Sequence, residues 1–90
     1  MELHFRHVMI RFRDQEKFKN CKNAKLVLTS SLSLNMFTSQ LIPHTNSFLF
    51  QDIKLLLAEP PHSATTFFFD AEITDQANRQ LSKFKFGFRL

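Results

Sequence analysis

Few side chains in this sequence are spaced so that they could act together in catalysis or metal binding. His4 and His7 are three residues apart in a β-rich stretch, so on a strand they would point to opposite faces and not form a chelating pair. Asp70 and Glu72 are two apart, so on a strand they would share a face, as the paired carboxylates of an acid/base site do. We expect instead an ordinary solvent face, with both acids beside the Lys and Arg of a neighbouring strand.

The single cysteine and the single glycine exclude other kinds of site. Cys21 cannot form an internal disulfide, and no histidine or acid is suitably spaced near it, although the fold could bring His44 close. Gly87 alone cannot build a glycine-rich phosphate loop or a nucleophile elbow. We therefore predict that Cys21 is a small half-buried residue, that the protein is not an enzyme, and that it binds neither metal nor cofactor.

Nothing in the sequence is typical of secretion or of a membrane span. The apolar stretch from Val8 to Ile10 is too short for a secretory signal. Residues 26–51 carry no Lys, Arg, Asp or Glu and could cross a bilayer by length, but their many Ser, Thr, Asn and Gln make them too polar. We expect a cytoplasmic or nuclear protein that does not associate with membranes.

The alternation of apolar and polar residues predicts most of the secondary structure. In residues 26–36 all four leucines fall on even positions and most hydroxyl side chains on odd ones, which predicts a long half-buried strand around which the chain is organised. Similar patterns predict strands near 26–37, 65–73 and 84–90, with Phe68 as an exposed exception. A strand near 3–13 is predicted from its many β-forming residues, with a centre at Val8 to Ile10 that is apolar on both faces. Residues 14–24 and 75–82, which begin at capping residues, predict short helical turns.

A main helix is predicted near 47–58, capped by Asn46 or Ser47 and stopped by the prolines that follow. Its apolar residues recur at helical spacing, although Phe48 to Phe50 could equally open a strand. The predicted fold is a single small α+β domain over residues 1–90, with a four-stranded, mainly antiparallel or mixed sheet packed against this helix. The predicted core is Val8, Ile10, Leu26, Leu28, Leu32, Leu34, Leu49, Ile53, Leu56, Phe67, Phe69, Ile73, Leu81, Phe84 and Phe86.

Positive charge is concentrated at the two ends of the chain. Residues 1–25 carry seven Lys and Arg against three acids, residues 26–78 one against five, and residues 79–90 four against none. One interpretation is solvated charge that helps the ends dock on the middle, and the other is a basic surface where the ends meet. In the last strand three Phe alternate with bases, which would suit base stacking if the Phe face were open, but core packing is the stronger expectation. The candidate nucleic-acid-binding residues are Arg11, Arg13, Lys83, Lys85, Phe86, Phe88 and Arg89.

Three hypotheses about function follow. The first is a small interaction module that binds another protein, or itself as a homodimer, through an exposed sheet edge. The alternative is binding of RNA or single-stranded DNA by the basic terminal strands. The third is an orphan reading frame without a selected biochemical activity, suggested by twelve Phe, no Tyr or Trp, and one Gly in ninety residues.

Overall fold

Antiparallel strands form all the regular secondary structure in the described part of this computed structural model, which comprises residues 1–14, 16–21, 23–31, 35–57 and 66–89. The strands form a two-stranded sheet of order β1-β4 and a four-stranded sheet of order β3-β2-β5-β6. The predicted α+β fold class is therefore wrong, since the described residues form two sheets and no helix. The strands are β1 (Glu2–Arg11), β2 (Lys25–Ser30), β3 (Met36–Gln40), β4 (Ser47–Leu56), β5 (Thr66–Thr74) and β6 (Gln80–Arg89).

The helix predicted near 47–58 is strand β4, in which the buried positions change phase. The change occurs at Asp52, whose φ of 55° lies in the left-handed region. Such an irregularity breaks the period of two and leaves apolar residues at spacings of three and four, which resembles the pattern of a helix. Leu56, placed in the core on that spacing, is 70% exposed. The buried apolar residues of β4 are Phe48, Phe50, Ile53 and Leu55.

The stretch predicted as one strand over 26–37 belongs to two strands. β2 ends at Ser30 and β3 begins at Met36, and the two pair in antiparallel fashion. The N–H of Ser30 donates to the C=O of Asn35 at 2.9 Å, which joins the two strands at their connection. Ser30 is also where the apolar alternation is interrupted. Two predicted core residues of this stretch, Leu32 and Leu34, lie outside the described residues.

The helical turns predicted near 14–24 and 75–82 are not helices in the described residues. In the first stretch the N–H of Lys17 donates to the C=O of Asp14 at 3.3 Å, and single turns of this kind do not continue into a helix. The second stretch is the loop of the β5–β6 hairpin and the beginning of β6. The residues predicted to cap these helices accept hydrogen bonds instead within turns that connect strands.

Asp75 holds the β5–β6 loop together. Its Oδ1 accepts hydrogen bonds from the backbone N–H groups of Ala77 and Arg79, both at 2.9 Å, and its Oδ2 accepts one from Arg79 Nε at 2.8 Å. The backbone N–H of Arg79 is the main reason that the pKa of the Asp75 carboxyl lies below its ordinary value of 3.8. The charged carboxylate is therefore favoured by the folded hairpin.

We expect Asp75→Asn to destabilise the protein at neutral pH and to matter less in acid. A lowered pKa means that the folded state binds the proton more weakly than the unfolded chain does. The stabilisation is therefore complete above 3.8 and is lost as the pH falls through the folded pKa. Urea melts of the wild type and of Asp75→Asn should be measured at a series of pH values from neutral to well below 3.8. The difference between their unfolding free energies should become smaller as the pH falls. A difference that widens in acid would contradict this role.

One apolar cluster joins the inner faces of the two sheets. The ring of Phe12, which follows β1, meets the rings of Phe18, Phe48 and Phe84 edge to face, with centroids 5.4, 5.9 and 5.8 Å away. Because Phe84 belongs to β6, this ring connects the two-stranded sheet to the four-stranded one. Phe suits such an interior, since it carries no polar atom that needs a partner. The largest fully buried side chains are Phe48, Phe69, Leu26, Leu28, Ile53, Leu55 and Ile73.

Most of the described core predictions are confirmed. Seven are buried: Ile10, Leu26, Leu28, Ile53, Phe67, Phe69 and Ile73. Four are half-buried: Val8, Leu49, Phe84 and Phe86. The prediction of a buried Leu81 is wrong, as is that of Leu56. The β5–β6 register shifts between Ile73 and Thr74, so Leu81 has no residue directly opposite and is 42% exposed. In the described ranges no helix has the length and apolar character needed to cross a membrane.

Candidate interaction surface

β6 is a long strand at the edge of the four-stranded sheet. It has ten residues and pairs along one side with β5, and among the described residues no strand pairs with its other side. At the opposite edge of that sheet β3 is attached to β4, because Ser39 Oγ of β3 donates to the C=O of Leu49 of β4 at 2.5 Å. An uncovered edge presents backbone N–H and C=O groups to which another chain can add.

β1 also has an edge without a strand partner in the described ranges, but that edge is interrupted. The pairing of β1 with β4 passes from Phe5↔Ile53 to His7↔Gln51. The buried positions of β1 change phase over the same residues. Irregularities of this kind bend an edge and make it a poorer template. β6 has its register shift at its beginning and pairs without interruption from Ser82 onwards, so β6 is the better candidate.

The direction of the backbone hydrogen bonds identifies which residues face the open edge of β6. The N–H of Ser31 donates to the C=O of Phe68 at 3.1 Å, so the backbone groups of Phe68 point toward β2. In an antiparallel sheet successive residues alternate in direction, so Phe69 points toward β6, where it pairs with Phe86. The even positions of β6 therefore bond to β5 and the odd ones point outward. Those with outward N–H and C=O groups include Lys83, Lys85 and Gly87.

The outer face of the β5–β6 pair carries opposite charges directly across from each other. The register places Asp70 across from Lys85 and Glu72 across from Lys83. This confirms the expectation that the two acids lie beside the bases of a neighbouring strand. Each carboxylate offsets one base of β6, so the outer face is a row of acids next to a row of bases.

Phe68 is an exposed ring on this charged face. Its side chain is 51% exposed, as predicted, and it lies across from Gly87. A Cβ at Gly87 would come within 3.0 Å of the ring, so the ring lies directly over the glycine. Lys85 and Arg89 are the next residues of β6 on the same face. Sequence reasoning did not nominate Phe68 as a site residue, although an aromatic residue on the polar side of an alternating strand was the available signal.

Of the two nominated rings, the structure describes the side chain of Phe86 only, and that ring does not lie beside these bases. Phe86 is half-buried on the inner face, with its ring centroid 6.4 Å from that of Phe69. The backbone of Phe88 pairs with Phe67, and the Phe88 side chain lies outside the described part of the structure. Inner-face packing, the stronger expectation, is what the structure has for Phe86.

The bases of the two chain ends lie on different sheets. Lys83, Lys85 and Arg89 share the outer face of β6, whereas Arg11 ends β1, and its Nε donates to Ser47 Oγ of β4 at 3.4 Å. Arg13 follows β1 and is exposed. The structure therefore gathers three of the five nominated bases in one row and places Arg11 and Arg13 elsewhere.

Cys21 and His44 line the same open cleft. The cleft has a volume of about 950 Å³, and Glu16, Lys19 and Arg11 also line it. Cys21 is half-buried, as predicted, and no hydrogen bond joins its thiol to His44 in the described residues. His4 Nε2 lies 2.9 Å from Asp52 Oδ1 across the β1–β4 pair. In the same ranges no group of three or more side chains could hold a metal ion.

Comparisons with protein-family models, with curated proteins and with solved structures found no match to this chain. Function is therefore inferred from the geometry of β6 and its neighbours alone.

Proposed function

We propose that this protein is a non-enzymatic interaction module that binds another protein by strand addition at the open edge of β6. The carrying observation is the outward direction of the backbone groups of Lys83, Lys85 and Gly87, at an edge that no strand covers in the described residues. Hydrogen bonds to an added strand would satisfy those groups and extend the sheet from four strands to five.

The inner face of β6 supports the same mode of binding. Phe84 and Phe86 pack against the core cluster but are only half-buried, whereas Phe67 and Phe69 of β5 are 2% and 1% exposed. An added strand would place its own inward side chains beside the two half-buried rings. This would remove apolar surface from water, so backbone bonding and apolar burial would favour the same partner geometry.

Two changes at Lys85 separate the backbone contribution from that of the side chain. Lys85→Pro removes an outward N–H and leaves the bonds to β5 in place, and proline is tolerated at such edge positions. Lys85→Gln removes the same charge but keeps the N–H. Extended peptides selected on the wild-type protein from a random display library should therefore bind Lys85→Gln and fail to bind Lys85→Pro.

Amide hydrogen exchange controls for misfolding of the proline variant. In the wild-type protein alone, the amides of Lys83, Lys85 and Gly87 should exchange fast and that of Phe84 slowly, since it bonds to β5. A bound peptide should protect the three outward amides. The proposal fails if a folded Lys85→Pro variant binds the peptides as Lys85→Gln does, or if binding leaves the outward amides unprotected.

A second candidate function is binding of RNA or single-stranded DNA by the outer face of β5 and β6. It is favoured by Phe68, an exposed ring flanked by Lys85 and Arg89, since such a ring can stack a base while the cations neutralise phosphates. It ranks second because Asp70 and Glu72 of β5 lie across from Lys85 and Lys83 and repel a polyanion. An oligonucleotide titration at two salt concentrations tests it: affinity should fall with salt and with Phe68→Ala, and insensitivity to both would exclude it.

A further inference from the structure

We infer that the strand accepted by β6 carries acidic side chains alternating with apolar ones, as β5 does. The inference rests on the proposed function of the β6 edge and adds the chemistry of the partner. It follows from the side chains that an added strand would meet on its two faces.

The pairing of β5 with β6 shows which side chains fit directly across from those of β6. On the outer face Asp70 and Glu72 of β5 lie across from Lys85 and Lys83, and on the inner face Ala71 lies across from Phe84. A strand on the opposite side of β6 would meet the same bases outside and the same rings inside, because side chains project above and below the sheet and not toward one edge. Opposite charges directly across stabilise an antiparallel pair. A partner that alternates acidic and apolar residues therefore fits both faces.

A second copy of β6 fits this edge less well. The bases at 83, 85 and 89 share one face, so every same-face antiparallel register centred on residues 83 to 87 places a base across from a base. Examples are Lys85 across from its own copy and Lys83 across from Arg89. Like charges directly across destabilise the pair, and the net charge of +4 on each chain adds to the repulsion. Charge therefore favours an acidic partner over a homodimer.

Synthetic peptides with capped ends test the inference directly. The probe is about nine residues long, the length of β5, and alternates Glu with Val. One control alternates Lys with Val, and a second has the composition of the probe with its glutamates grouped at one end. We expect the probe to bind at least roughly tenfold more tightly than either control, since two opposed charge pairs account for about that factor.

Matched variants locate the effect at β6. Lys83→Gln with Lys85→Gln should reduce the preference for the acidic probe to within about twofold of the lysine peptide, as both opposed pairs are lost. Lys54→Gln removes an exposed base of β4 in the other sheet and should leave the preference intact. Circular dichroism confirms that each variant is folded.

The possible failures of the two proposals differ. Equal binding of the acidic and lysine peptides, with Lys85→Pro abolishing both, would overturn the acidic partner and leave strand addition standing. Equal binding of the alternating and grouped acidic peptides would mean that only general charge attraction is at work, and this would also overturn the inference of an alternating acidic partner. If neither these peptides nor library-selected ones bind at β6, both proposals fail.

Discussion

Replacing Leu55 with aspartate is expected to unfold the protein, whereas the same change at Leu56 should leave it folded. Leu55 is 2% exposed and Leu56 is 70% exposed, because consecutive residues of β4 point to opposite faces. A carboxylate without a partner in the apolar core costs several kcal/mol, comparable with the total stability of about 5 kcal/mol that a small domain has. The exposed change should cost about 0.5 kcal/mol or less. Guanidinium melts followed by circular dichroism measure both.

The same pair of variants separates a strand from a helix at residues 47–56. Helical spacing would place Leu56 in the core and turn Leu55 away from the apolar side, so the order of the two effects would be reversed. A larger loss at Leu56, or equal losses at both positions, would contradict the assignment of β4.

The second large effect is expected at Phe69, with its neighbour Phe68 as the matched control. Phe69 is 1% exposed, and its ring centroid lies 6.3 Å from that of Phe37 and 6.4 Å from that of Phe86. Phe69→Ala should therefore cost about 3–5 kcal/mol, through lost burial and the cavity left behind.

Phe68→Ala removes the same number of atoms from the exposed face and should cost under about 1 kcal/mol. Part of that loss comes from the contact between the Phe68 ring and Gly87. The difference between the two unfolding free energies measures how strongly the fold depends on the alternation in β5. Similar losses at Phe68 and Phe69 would show that β5 does not divide its side chains between core and solvent.

Local sequence patterns predicted β5 from its uninterrupted alternation and β1 from its richness in β-forming residues. β5 was predicted over 65–73 and is observed at Thr66–Thr74, and β1 was predicted over 3–13 and is observed at Glu2–Arg11. β4 was missed because the change of phase at Asp52 imitates helical spacing. The reversal between β2 and β3 was missed because the apolar alternation is interrupted only at Ser30 and then resumes in the same phase, which favours one continuous strand.

The candidate surface was predictable only in part, because it depends on the order of the strands. The bases of β6 and the acids of β5 could be recognised from their alternation. Which strand lies at an edge, and which residue lies across from Gly87, are set by pairing between distant segments, and a local pattern does not encode that pairing. The exposure of Phe68 was predicted from the sequence, but its position over Gly87 and the open edge of β6 are evident only from the fold.

The pairing of β1 with β4 has a consequence for how the chain reaches its native state. Arg11 and Ser47, at the near end of this pair, are 36 residues apart in sequence. Contacts of this separation form slowly, because the chain entropy of closing a long loop is lost before the contact stabilises anything. During synthesis β1 therefore remains unpaired, with its apolar centre at Val8 to Ile10 exposed, until β4 has been made. An exposed apolar segment can aggregate in that time. The four charged residues from Glu2 to Arg13, which lie on either side of the apolar centre, lower this risk by keeping the segment soluble.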